Sequence, residues 1–145
     1  MRIHLGANYQ GYNEARELEK QLIGRGHEVL WHGADNFDFN DDYPLYCIRV
    51  GQAVVEDSDA AVDSFGVIVG GTGAAETISA NKVNGVRAIL PSSAAVIKDA
   101  REHADANVLI LSAEDAGQGV ALAELFGSTE FLNNLDDARR VINVA

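Results

Sequence analysis

The sequence predicts an α/β fold, a doubly wound three-layer sandwich built on a five-stranded parallel sheet. Two features point there. Short apolar runs alternate with longer amphipathic stretches along the whole chain, the order that places helices on both faces of a parallel sheet. One run, Phe65-Gly66-Val67-Ile68-Val69, is continuously apolar apart from its glycine, as expected of a strand buried on both faces.

The elements follow in order. Residues 2–5 read as a first strand ending at Gly6. Residues 13–25 read as a helix with Ala15, Leu18 and Leu22 on one face and mostly charged residues on the other. Gly24 and Gly26 end that helix, and residues 28–31 form the second strand. Residues 33–44 are polar and rich in Asp and Asn, hence a loop. Leu45, Ile48, Gln52 and Val55 recur at helical spacing over 45–56. Residues 65–69 are the third strand and 74–82 the next helix. A fourth strand is expected over 86–90, a helix over 93–103 and a fifth strand over 108–111. Residues 117–126 and 135–142 read as closing helices, with Asn134 as N-cap of the last and Asp136 and Asp137 in its first turn. No repeat or linker divides the chain, so residues 1–145 are expected to form a single domain. In such a sheet a ligand binds beyond the carboxyl ends of the strands.

Composition narrows the function. Hydrophobic residues make up 47% and charged residues 23% of the 145, as in globular proteins. The net charge of −11 leaves no surplus of cations for nucleic acid. No apolar stretch approaches the length of a membrane span, and the start does not read as a signal peptide. A lone Cys47 cannot form an internal disulfide, so a cytoplasmic location is expected. Overall acidity makes anion binding a local matter, to be supplied by backbone N–H groups at helix starts.

The strongest local feature is the strand 65–69 running into Gly70-Gly71-Thr72-Gly73-Ala74-Ala75-Glu76. The setting is Rossmann-like, but the loop lacks both the Gly-x-Gly-x-x-Gly order and the Gly-Lys-Ser/Thr of a Walker loop. Taken alone, it is equally a tight strand-to-helix turn or a cradle for a ligand. Glu76 is likewise either a first-turn carboxylate favoured by the helix dipole or a base facing a bound molecule.

Residues 70–88 (Gly-Gly-Thr-Gly-Ala-Ala-Glu-Thr-Ile-Ser-Ala-Asn-Lys-Val-Asn-Gly-Val-Arg-Ala) resemble the hallmark segment of type B ribose-5-phosphate isomerases, most specifically in Ala-Asn-Lys-x-x-Gly-x-Arg-Ala. Four further segments match in family order: residues 5–12, Asp41-Asp42-Tyr43-Pro44, Ala100-Arg101-Glu102-His103 and Ala106-Asn107-Val108-Leu109. Nearly the whole chain is thus similar to the ribose-5-phosphate isomerase B / galactose-6-phosphate isomerase family.

The resemblance implies aldose–ketose isomerisation through an enediolate, with no metal and no organic cofactor. One branch of that family uses a Cys at the start of the glycine loop as base, the other a Glu at the start of the following helix. Here Gly70 occupies the Cys position and Glu76 the Glu position. Glu76 is therefore the expected C1/C2 base, Thr72 the proton relay between the sugar oxygens and His103 the ring-opening residue. Backbone amides around Gly70, Gly71, Gly73 and Ala74 would hold the oxyanion. Asn8, Tyr9 and Arg140 would line the distal end of the substrate, with Tyr43 as a wall; Tyr46 is equally a core residue, and Cys47 is expected in the core. The implied ligand is a sugar or sugar phosphate, and the implied assembly a homodimer or dimer of dimers with shared sites.

The chain also departs from the pattern. Asn8-Tyr9 stand where the family has Asp-His, and Ala104 where it has Asn. Glu114 and Asp136 stand where it has phosphate-binding arginines. At a few ångströms such a reversal of charge is worth several kcal/mol even at an effective dielectric of ~20. Two functions stay open on these residues: an isomerase, or a non-catalytic sugar-binding or regulatory paralogue.

Overall fold

The structure is a computed structural model and describes residues 1–144. Its sheet contains β1 (Arg2–Ala7), β2 (Glu28–Trp31), β3 (Phe65–Val69), β4 (Ala88–Ile89) and β5 (Val108–Leu111). All pairings are parallel, and the order is β2-β1-β3-β5-β4. Six helices connect and flank the strands: α1 (Tyr12–Gly24), α2 (Tyr43–Asp59), α3 (Ala74–Asn81), α4 (Ala94–Ala104), α5 (Gly119–Ser128) and α6 (Leu135–Val144).

Strand periodicity divides the core in two. Ile3, Leu5, Phe65, Val67, Val69, Leu109 and Leu111 face α1, α4 and α5, meeting Leu18, Leu22, Ile97 and Phe126. Ile68, Val108 and Ile110 face α2 and α3, meeting Cys47, Val50, Val54 and Ala80. On this second side the sheet also carries Gly6 and Gly66. A β-carbon on either would come within 2.9 and 2.7 Å of Val50, so these two glycines let α2 lie close against the sheet. His4 shares that face and is buried. It bonds Asp57 at the end of α2 (2.7 Å) through Nε2 and His32 just beyond β2 (2.8 Å) through Nδ1, which satisfies a polar ring inside the layer.

Several boundaries differ from the sequence expectation. β1 runs on to Ala7, and a 3-10 turn (Tyr9–Gly11) leads into α1. α2 begins at Tyr43, inside the stretch expected to be loop, because Pro44 suits a helical first turn. β4 keeps only two of the five expected residues. Beside it, Asn81 uses its whole amide on the backbone of Ala88, donating to the carbonyl (3.0 Å) and accepting from the N–H (2.8 Å). Asn107 accepts from the Arg87 N–H (2.7 Å) and donates to the Gly85 carbonyl (2.9 Å). Side chains thus satisfy backbone groups around this short edge strand, whose other side keeps its ladder with β5, and this gives Asn81 of the hallmark segment an architectural role. Asn134 does begin α6, accepting from the Asp137 N–H at 2.9 Å. No helix among the described residues is long and apolar enough to cross a membrane.

Candidate active site

After β1 the chain moves outward to β2, then returns to the other side of β1 as β3. The carboxyl ends of β1 and β3 therefore flank a topological switch point, where α/β sheets bind ligands. Asn8 directly follows β1 and Gly70 directly follows β3. Asn8 Nδ2 donates to Glu76 Oε1 at 2.6 Å, while its Oδ1 accepts from the Gly11 N–H at 3.0 Å. The second bond fixes the orientation of the amide, so Asn8 can only donate towards Glu76. Both residues are buried, at 3% and 2% exposure, and Asn8 holds the Glu76 carboxyl from one side within the sheet's mouth.

The other side of Glu76 is open because residue 70 is glycine. A β-carbon there would stand 2.5 Å from both Cδ and Oε2 of Glu76. Gly70→Ala is therefore expected to turn the carboxylate away from its position and lower turnover about a hundredfold. Overpacking should also destabilise the fold by about 1–3 kcal/mol. Turnover measured beside a thermal melt separates the two effects.

The rest of the loop is held in place while leaving backbone amides free. Gly70 donates to the Leu111 carbonyl (2.9 Å), and the Gly71 carbonyl accepts from Ala113 (3.0 Å), so the loop is tied to the end of β5. Gly73 has φ +92°, a conformation natural to glycine, and a side chain there would strike Leu90 and Ile110. Among the described residues, the amides of Gly71, Thr72 and Gly73 have no acceptor. Thr72 is exposed at the mouth, its Oγ1 taking only a long 3.4 Å bond from Ala74. Tyr9, half-buried in the 3-10 turn, and Tyr43, at the start of α2, stand at this same end of the sheet.

Two neighbours were not among the candidate residues. Gln10 packs over Gly71, where a β-carbon would strike its side-chain amide. Asp41 has a buried Oδ1 without a hydrogen-bond partner. Burial, and then the charges of Asp38, Asp42 and Glu76, hold its carboxyl above the usual range. Cys47 lies in the core as expected; burial, with Glu76 adding to it, pushes its thiol up to about 12. It is no nucleophile at neutral pH.

His103 and Arg140 are elsewhere. α4 starts at the ligand end of the sheet and runs its eleven residues, about 16 Å, towards the amino ends of the strands. His103 lies near its far end. There it lines an open cleft of about 910 Å³ with Asn133, Asn134, Leu135, Asp136, Asp137 and Arg140. Within one chain the nine candidates Asn8, Tyr9, Tyr43, Gly70, Gly71, Thr72, Gly73, Ala74 and Glu76 share one end, and His103 and Arg140 share the other.

Comparison with known proteins settles the family. A family model described as Ribose/Galactose Isomerase matches residues 3–144. The chain belongs to the ribose/galactose isomerase family. Ribose-5-phosphate isomerase B of Mycobacterium tuberculosis is 33% identical over 143 residues, which cover 97% of this chain and 86% of that protein. Ribose-5-phosphate isomerase B of Escherichia coli is 32% identical over 120 residues, 83% of this chain and 77% of that one. Among solved structures, ribose-5-phosphate isomerase B of Mycoplasma genitalium with bound ribulose-5-phosphate has a TM-score of 0.88 at 29% identity, covering 99% of this chain and 93% of that chain. The Thermotoga maritima enzyme has a TM-score of 0.88 at 28% identity, with 99% and 96% covered.

Measured against this isomerase family, the divergent positions are accommodated in different ways. Asn8 has become a buried partner of Glu76. Glu114 is exposed beyond β5. Asp136 pairs with Arg139 at 3.1 Å on the exposed side of α6, whereas Arg140 reaches Asp137 at 3.4 Å. Among the described residues, no group of three or more His, Cys, Asp or Glu is arranged to hold a metal ion.

Proposed function

We infer that this chain is an aldose–ketose isomerase of the ribose-5-phosphate isomerase B type, acting on a sugar or sugar phosphate by cofactor-independent proton transfer. The carrying observation is the Asn8–Glu76 bond at the switch point, which presents a buried carboxylate beside a loop with unused amides. Glu76 takes the proton from C2 of the open-chain aldose, and the electron pair forms the enediolate C1=C2 bond. Negative charge gathering on O1 is held by the amides of Gly71 and Gly73 and their neighbours. Thr72 passes the O2 proton to O1, and Glu76 returns its proton to C1, giving the ketose. Asn8, Tyr9 and Tyr43 line the substrate.

Because His103 and Arg140 stand at the opposite end of the sheet, we place them against the Glu76 of a second copy, in a homodimer or dimer of dimers. Leu135, Ile142 and Val144 of α6 and Ile78 of α3 leave apolar side chains uncovered, in keeping with that assembly. The single unpaired thiol and the substrate class support a cytoplasmic location.

The Mycoplasma genitalium protein holds a five-carbon ketose phosphate. In this chain Arg140 is the single cation at the expected distal positions, with carboxylates at 114 and 136, so unphosphorylated and phosphorylated sugars both belong in the test. The same reversals of charge favour a second reading, a sugar-binding paralogue without catalysis. Proton exchange followed by NMR in deuterated water, across four- to six-carbon sugars and their phosphates, decides. Label appearing at C1 or C2 supports the isomerase; binding without exchange supports the paralogue.

A further inference from the structure

Among the described residues, Asp137 is one of four buried polar or charged side chains, at 6% exposure, and the only one of them on α6. Its Oδ2 accepts from Asn134 Nδ2 (2.7 Å) and lies 2.8 Å from His103 Nδ1; its Oδ1 is 3.4 Å from Arg140 Nη1. An ionised carboxylate can only accept, so Nδ1 of His103 carries a proton. The opposite nitrogen, Nε2, is 3.9 Å from Glu102, beyond hydrogen-bond reach, and the ring is about half exposed to the cleft. This is how a carboxylate orients an imidazole for acid–base work: one nitrogen is tied, the other presented.

We propose that Asp137 is a positioning residue that holds His103 with Nε2–H facing the cleft, as the proton donor to the ring oxygen of a cyclic sugar. The assignment rests on the isomerase reading above. In the step, the C1–O bond to the ring oxygen breaks with its electron pair on that oxygen, which takes the Nε2 proton. The anomeric hydroxyl loses its proton to solvent water as C1=O forms, and solvent reprotonates His103. The Asp137 hydrogen bond and charge, with Asp99 and Glu102 of the same helix, hold the His103 imidazolium above the ordinary histidine range, while partial desolvation opposes them. Arg140 and Arg87 also border His103 and favour its neutral form; Arg140 is turned on Asp137, and Arg87 on Asp105 at 3.2 Å.

The signs follow. Asp137→Asn removes the charge that favours imidazolium, so His103 should titrate at lower pH. The alkaline limb of kcat/KM on a cyclic sugar should move to lower pH with it. At pH 8 the loss should be about tenfold or more, and at pH 6 much smaller. Asp137→Glu should restore part of both. The measurement is NMR titration of the labelled His103 ring in the unsubstituted chain and both variants, beside kcat/KM profiles.

Support requires the His103 midpoint and the alkaline limb to fall together in Asp137→Asn and to recover together in Asp137→Glu. An unchanged midpoint, or a midpoint that moves without the limb, overturns the proposal while the isomerase reading stands. Absence of turnover by the unsubstituted chain overturns the isomerase reading, and the catalytic role of the pair with it. If Asp137→Asn does not fold, the unsubstituted chain still decides. Its neutral His103 should carry the proton on Nδ1, and a proton on Nε2 instead would refute the arrangement.

Discussion

Glu76→Gln should reduce proton exchange at C1 and C2 by about 10³-fold, the scale on which a positioned general base contributes. The substitution is nearly isosteric. A glutamine Oε1 can still accept from Asn8 Nδ2, whose orientation is fixed independently by the Gly11 amide. The glutamine keeps the size and the acceptor of a side chain that is 2% exposed, so the melting temperature should change little. Sugar affinity should change much less than turnover, because the amides of the glycine loop stay in place. Deuterium incorporation, a binding isotherm and a thermal melt on the same sample test this. A variant that exchanges at the unsubstituted rate would remove Glu76 as the base and return the choice to the binding paralogue.

The largest effect on stability is expected far from that site. Phe126 of α5 is fully buried, with its ring centroid 5.4 Å from that of Phe65 on β3. The guanidinium of Arg101 lies over the Phe126 ring, 4.8 Å from its centre. Arg101 also donates from Nε to the Thr129 carbonyl (3.0 Å) and through Nη1 to that of Ala106. One aromatic ring thus joins β3, α5 and the cation that ties the carbonyls just beyond α4 and α5. Phe126→Ala should cost about 3–5 kcal/mol, from lost transfer and the cavity left behind. For a chain of this length that corresponds to a fall of about 10 °C in melting temperature. Urea unfolding measures it; a change below about 1 kcal/mol would mean that α5 is not held through this ring.

The strands were legible in sequence because burial on both faces leaves an uninterrupted apolar signature, as in Phe65–Val69 and Val108–Leu111. β4 was legible only as a place: it is a two-residue edge strand paired with β5, and its other edge is met by the Asn81 side chain, which leaves no periodic signature. The glycine loop and Glu76 could be found because they are contiguous. Asp41 and Gln10 could not, since they reach the loop from other segments across the switch point. The same holds for His4 with Asp57 and for His103 with Asp137, pairs separated by 53 and 34 residues. Resemblance to a family supplied what spacing could not, and it pointed to an arginine-lined last helix. The buried carboxylate actually found at Asp137 was not legible, because a first-turn Asp looks the same in sequence whether it faces solvent or a histidine.

The placement of Glu76 on α3 and His103 on α4, at opposite ends of the sheet, has a genetic consequence. Each polypeptide would donate a different half to two different reaction centres, as two genes do in a split enzyme. Damage to one half should then be curable in trans. Chains carrying Glu76→Gln and chains carrying His103→Ala, each nearly silent alone, should regain activity when unfolded and refolded together, because some mixed pairs contain one centre with both groups intact. Recovery on mixing would show that the unit of function is the pair of chains; continued silence would place both groups in the service of one polypeptide.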